Sequence, residues 1–223
     1  MTIMEDQKHP NYFRVAWQSA LAAMLCFGLP AGLLFWLILF QRTEASTSIS
    51  RMITLLQDYG ILEIALYLTG ALTWGIMLAR ISGYHPEWRL AVVTVLGASA
   101  GRWSPLTNLD GVLSGHMPGL PVHVVFSAFL SGFVFSVTAF VGLAYGLMLR
   151  SLKATLTLAL TASLPSMLAT LLMIVILDQA GIRVGMGDSA MPKVTAVCTL
   201  ASAIVGGAAL GIGFSRFVGR KKT

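Results

Sequence analysis

The sequence predicts an all-α integral membrane protein, built as a bundle of six transmembrane helices with one short interfacial amphipathic helix. Hydrophobic residues make up 56% of the 223 positions, and the mean hydropathy is +0.79. Charged residues make up 11%, whereas a soluble globular domain carries roughly 25%. Several uncharged runs are longer than the ~18 residues that mark a transmembrane helix. The cations between these runs fall mostly on alternate connectors, as expected for a chain that crosses repeatedly.

The first predicted span covers residues 15–40, which contain no charged residue. This run is longer than the 7–15 apolar residues of a cleaved signal peptide, so we expect a retained membrane anchor. Pro30 lies within it and cannot donate a backbone hydrogen bond, which predicts a kink. Neighbouring helices can satisfy the carbonyl that such a kink frees.

A short amphipathic helix is predicted at residues 51–59, where apolar positions follow a helical spacing. Such a segment would lie in the membrane interface. The second span is predicted at residues 61–78. It begins almost immediately after this helix.

The third span, residues 86–104, is predicted from its flanks. Trp88 and Trp103 stand 15 positions apart, about 22 Å along a helix, as expected for tryptophans in the two interfacial belts. Arg102 would then extend outward from the helix end. The remaining spans follow from long apolar runs and are predicted at residues 120–149, 154–177 and 194–214.

The positive-inside rule favours six membrane crossings. With six crossings, one side holds ten cations: Lys8, Arg14, Arg80, Arg89, Arg150, Lys153, Arg216, Arg220, Lys221 and Lys222. The other side holds five: Arg42, Arg51, Arg102, Arg183 and Lys193. The bias predicts a plasma (inner) membrane protein with both termini in the cytoplasm.

Glycines at helical spacing predict close helix packing within a single membrane domain of residues 1–223. Gly142 and Gly146 form a G-x-x-x-G motif, which lets two helix backbones approach closely. Small-residue faces on the first and sixth spans predict similar contacts, carried by Gly28, Gly32, Gly207 and Gly211.

Four residues are candidates for binding a ligand or an ion. Glu63 would occupy either the membrane interior, where a carboxylate needs a partner or water, or the headgroup region. Arg102 and His123 flank the glycine-rich stretch between the third and fourth spans, and His116 lies within it. This stretch would cap a pocket on the outer side, re-enter the membrane or form an ordinary turn-rich loop. The histidine spacing does not match a helical metal site, so no metal and no cofactor are predicted.

A second motif, Gly185-Met186-Gly187-Asp188, resembles the GxGD motif of the intramembrane aspartyl proteases, a family that includes the prepilin peptidases. The resemblance implies a catalytic pair of Asp110 and Asp188, of which one carboxylate activates water while the other is protonated. The family's lysine two positions after the GxGD aspartate is Ala190 here. Both aspartates also fall on the outer side, whereas prepilin peptidases act from the cytoplasmic side.

The sequence therefore favours a non-enzymatic role. We expect a small multi-pass membrane component of a transport or translocation system that acts with membrane-protein partners or as a homo-oligomer. A structural or accessory subunit of a membrane complex and a GxGD-type protease are the alternatives. No connector is long enough for an ATPase domain, and no basic stripe with interleaved aromatic residues indicates nucleic acid.

Overall fold

The computed structural model describes residues 11–28, 30, 61–105, 121–182 and 190–220. The secondary structure within these ranges is helical, with no β-strand. The predicted all-α fold is thus confirmed for the described part of the chain. The interfacial helix expected at residues 51–59 lies outside it, as do Gly32, Asp110, His116 and the GxGD segment.

Six α-helices and one π-helical turn make up the described residues. They are α1 (Tyr12–Ala23), a π-turn (Met24–Gly28), α2 (Ile61–Ser82), α3 (Glu87–Arg102), α4 (Val122–Met148), α5 (Leu152–Gln179) and α6 (Ala190–Arg220). Within the same ranges, three segments are long and apolar enough to cross a membrane: His123–Met148, Leu152–Gln179 and Lys193–Val218. The chain is therefore a membrane protein by the length and composition of its helices.

The observed helix ends differ from the predicted ones by a few residues, for identifiable reasons. Helix α2 continues past residue 78 until Gly83, whose φ of 66° ends it. Helix α3 begins one residue after Pro86, because Pro86 is extended and serves as the N-cap. Helix α6 extends beyond residues 194–214 at both ends. The prediction stopped at cations, but a long cationic side chain can leave a membrane helix for the interface.

The helices form a ring in chain order. Each packs against the next along the sequence, and α6 also packs against α1, which closes the ring. Neighbouring helices run antiparallel, as their contacts show. Residue 142 faces residues 158 and 159 while residue 146 faces residue 155, and residue 207 faces residues 19 and 23 while residue 211 faces residues 15 and 19.

Glycine allows the closest of these approaches. A Cβ at Gly142 would lie 2.5 Å from the Leu158 carbonyl oxygen, and one at Gly146 would collide with the Thr155 backbone. A Cβ at Gly207 or Gly211 would collide with α1 side chains, and one at Gly28 would lie 2.5 Å from a Leu200 methyl group. The glycines named from the sequence, Gly32 excepted, therefore lie at helix–helix contacts.

Candidate ligand cavity

The centre of the ring contains a cavity of about 250 Å³ to which all six helices contribute. For comparison, an engineered cavity of 150 Å³ in a soluble protein holds benzene. Its lining includes Tyr67 and Trp74 from α2, Thr94 and Arg102 from α3, and Thr195 and Ala203 from α6. The remaining wall is mainly aliphatic and aromatic. The cavity can therefore hold a small molecule larger than benzene.

The cavity occupies the middle of the bundle and one of its ends. Its wall includes Pro30 beyond the end of the first helical segment, Arg102 at the end of α3 and Thr195 near the start of α6. Because neighbouring helices are antiparallel, these three positions belong to the same end of the bundle. The connecting segments 31–60, 106–120 and 183–189 attach at this end.

Buried hydrogen bonds fix the wall of the cavity between α2, α3 and α4. The Thr94 hydroxyl donates to the Leu90 carbonyl at 2.6 Å, so the Tyr145 hydroxyl, also 2.6 Å away, donates to Thr94. The Trp74 indole is a further side-chain partner of the Tyr145 hydroxyl. These hydrogen bonds give the hydroxyl groups of Tyr145 and Thr94 partners although both side chains are fully buried, as buried polar groups require.

Arg102 and Tyr67 form a cation–π pair at the cavity wall. The guanidinium carbon lies 5.8 Å from the centre of the Tyr67 ring, within the ~6 Å range of such contacts. The Tyr67 hydroxyl donates to the Ala98 carbonyl at 3.2 Å, which ties the ring to the last turn of α3. Arg102 thus turns towards the ring of helices, whereas the sequence predicts a side chain that extends outward.

The π-turn and Pro30 shape the same part of the wall. Pro30 has no N–H to donate to the carbonyl of Cys26, four residues earlier, and its ring would clash with that carbonyl in a regular helix. Met24–Gly28 widens to a π-helix before it, and a Cβ at Gly70 would collide with the Cys26 carbonyl oxygen. The helix therefore accommodates Pro30, at which a kink was predicted, by widening into a π-turn that lies beside Gly70 of α2.

Among the described residues, no other ligand- or ion-binding candidate from the sequence lines this cavity. His123 is exposed in the first turn of α4. Glu63 lies in the first turn of α2, and its side chain is outside the described set. Asp110, His116 and Asp188 also fall outside the described ranges, so the proteolytic pair stays a prediction. No group of three or more metal-ligating side chains occurs within those ranges.

Several cavity residues were not identified from the sequence. Tyr67, Trp74 and Thr94 lie within apolar runs. The composition of such a run does not distinguish an aromatic or hydroxyl side chain that faces the cavity from one that faces lipid. Their roles depend on which face of each helix turns inward. The weak periodicity of a membrane helix does not specify that face.

No protein-family model, curated protein or solved structure matches this chain.

Proposed function

We propose that this protein is a small multi-pass component of a transport or translocation system in the plasma membrane, which binds its ligand in the central cavity. It crosses the membrane six times, with both termini in the cytoplasm, and acts with partner subunits. The segment at residues 51–59 lies as a short helix in the interface.

Two features of the less apolar half of the bundle support six crossings. Helices α1, α2 and α3 pack in one bundle with the three strongly apolar helices, which supports a common depth in the membrane. Trp88 and Trp103, at the two ends of α3, are 61% and 80% exposed, as interfacial tryptophans are. The asymmetry of the cations favours the outer side for the end with Arg102.

The observation that carries the proposal is the cavity itself. Membrane helices that serve only as an anchor are stabilised by packing tightly through small residues. Here the ring does so at its glycine contacts, yet it leaves about 250 Å³ open between all six helices. Ligand sites between helices of a bundle have this character, an apolar cavity with a few fixed polar groups.

Filling the cavity tests this function. Ala203 lines the cavity, and its neighbour Ile204 is 36% exposed on the outer surface. The protein would be extracted from its native membrane, purified in mild detergent and examined by native mass spectrometry for a bound small molecule. We expect the wild type and Ile204→Phe to carry the molecule and Ala203→Phe to lose it.

A protein that carries no small molecule, or an Ala203→Phe variant that retains it, would contradict ligand binding in the cavity. Thermal unfolding of both variants shows whether Ala203→Phe still folds. Subunits that co-purify with a protein lacking any ligand would instead support the role of an accessory subunit.

A further inference from the structure

We propose that the ligand of the cavity is an uncharged, mainly apolar molecule with one hydrogen-bond-accepting oxygen, and that the Thr199 hydroxyl donates to this oxygen. This inference rests on the proposed function, because it assigns a ligand class to the same cavity. Three observations carry it: the position of Thr199, the state of its hydroxyl, and the partners that the other polar groups of the wall already have.

Thr199 lies on the face of α6 that turns towards the cavity. Thr195, one turn before it, and Ala203, one turn after it, line the cavity as Thr199 does. Residues four apart in a helix lie on one face, so the three side chains form one stripe along the wall. Thr199 is the half-buried middle member of this stripe. It therefore lies deeper in the bundle than the exposed Thr195.

The hydroxyl of Thr199 differs from those of other threonines in this bundle. A threonine in a helix commonly bonds to a carbonyl three or four residues earlier, as Thr73, Thr138 and Thr170 do here. The Thr199 carbonyl accepts from Ser202, but the Thr199 hydroxyl has no hydrogen-bond partner among the residues that the structure describes. Its proton is therefore available to a ligand.

The other hydroxyl groups of the described wall are engaged within the protein. Tyr67, Thr94, Thr138 and Ser202 all donate to backbone carbonyls. A hydroxyl has one proton to donate, so these four groups can only accept a hydrogen bond from a ligand. Thr195 also has an interaction partner. The donor that the wall offers to a ligand is thus the hydroxyl of Thr199, which matches an oxygen that accepts.

The remaining polar groups of the described wall favour an uncharged ligand. The Trp74 indole bonds to the Tyr145 hydroxyl, and the Cys26 thiol contacts a methionine sulfur. Arg102 already has partners, the Tyr67 ring among them. A charge that enters apolar surroundings without a charged partner loses its hydration at a high cost. The cavity therefore selects a neutral molecule whose body is apolar.

Acetophenone and α-methylstyrene are suitable probes of this ligand class. They have nearly the same shape, and the carbonyl oxygen of the first is a methylene carbon in the second. Both are slightly larger than benzene, for which a cavity of 150 Å³ suffices. Binding would be measured by saturation-transfer NMR on the full chain in nanodiscs of zwitterionic lipid. The Ala203→Phe variant gives the blank for partition of each probe into the bilayer.

Variants of two threonines separate recognition of the oxygen from packing. We expect Thr199→Val to weaken acetophenone binding about three- to ten-fold, which is the net contribution of one hydrogen bond. The binding of α-methylstyrene should stay unchanged, because valine keeps the shape of threonine. Thr73→Val is the matched control: Thr73 is exposed on α2, and its hydroxyl donates to the Thr69 carbonyl. We expect this control to change neither affinity.

Each outcome has a distinct meaning. If Thr199→Val affects both probes equally or neither probe, while Ala203→Phe loses both, the role of Thr199 is overturned and the cavity remains a ligand site. Binding of neither probe to the wild type above the blank would contradict both proposals. The tandem mass spectrum of the molecule that co-purifies with the wild type is an independent check. We expect an oxygen-containing neutral compound, and a carboxylic acid or an amine would overturn the ligand class.

Discussion

At the scale of single residues, three helices end in the same capping motif, but the residue that adopts the positive φ differs among them. After α2 and α5 that position is Gly83 and Gly181, with φ of 66° and 80°. After α4 it is Arg150, with φ of 51°. At each end, backbone N–H groups bond to carbonyls of the last turn, as in the Schellman motif. A side chain is disfavoured in this conformation, so Arg150 is strained relative to the two glycines.

Replacing Arg150 therefore offers a test of this strain. We expect Arg150→Gly to raise the free energy of unfolding by about 1 kcal/mol, because glycine adopts positive φ without a steric cost. Arg150→Ala is the control: it removes the same charge and keeps the strained Cβ. Thermal unfolding in detergent would measure both, and equal stabilities of the two variants would contradict the explanation.

The reverse change applies at Gly181, where a Cβ would meet no atom within 4 Å. Any loss of stability in Gly181→Ala would therefore come from the backbone conformation alone. We expect a loss of about 1 kcal/mol, measured by the same unfolding experiment. An unchanged midpoint would show that φ at this helix end is not constrained.

Among single residues, Arg102 was a candidate because it lies beside the glycine-rich connector, and the structure places it at the cavity wall. Its role in ligand binding stays a prediction. The outward direction assigned to its side chain was wrong, because a partner on another helix, Tyr67, decides where it points. Nothing in the sequence indicated that Tyr67 would contact Arg102.

At the scale of helices, α5 packs mainly small side chains against the bundle, with Leu158 as a large buried one, and turns a row of leucines outward. Its buried positions include Ala154, Ala162, Ser163 and Ser166, whereas a row of leucines is 43–76% exposed: Leu152, Leu156, Leu160, Leu164, Leu168 and Leu172. Lipid is as apolar as leucine, so association between the helices depends on close packing through small residues. The outer leucines are therefore a lipid-facing surface.

The α4–α5 contact gives a direct test of this packing. A Cβ at Gly146 would collide with the backbone of Thr155, and the neighbouring Leu147 is 69% exposed. We expect Gly146→Ala to lower the free energy of unfolding by about 1–3 kcal/mol, as overpacking does. Leu147→Ala should change it little. Comparable losses in the two variants, measured by unfolding in detergent, would contradict the assignment of the faces.

The existence of the described helices followed from the sequence, because uncharged runs and flanking tryptophans mark them. Their exact ends did not, since they depend on caps. Ser151 begins α5 by accepting a hydrogen bond from the Ala154 N–H at 3.2 Å, three residues before the span predicted from its apolar run. The π-turn before Pro30 was not predicted, and nothing in the sequence indicated that its Cys26 carbonyl packs against Gly70 of another helix.

At the scale of the whole molecule, the closed ring explains why a cavity exists. Each helix contacts its two neighbours, and α6 also contacts α2 and α4. Large side chains such as Tyr145 and Phe214 fill part of the interior, so the bundle is open only where the cavity lies. The sequence predicted the close contacts of α1, α4 and α6 but not the order of the helices. That order depends on the contact between α6 and α1, the two ends of the chain, and no local pattern encodes it.

The central claim is that the cavity opens on the outer side of a membrane that the chain crosses six times. Accessibility of single cysteines in intact cells tests it most directly. In a Cys26→Ala, Cys198→Ala background, Thr195→Cys reports on the exposed position of the cavity wall and Lys153→Cys on the opposite end of the bundle.

A thiol reagent that cannot cross membranes would be added to intact cells and then to permeabilised cells. The account predicts that Thr195→Cys is labelled in intact cells and that Lys153→Cys is labelled only after permeabilisation. Labelling of both from the same side, or labelling of Thr195→Cys only after permeabilisation, would contradict it.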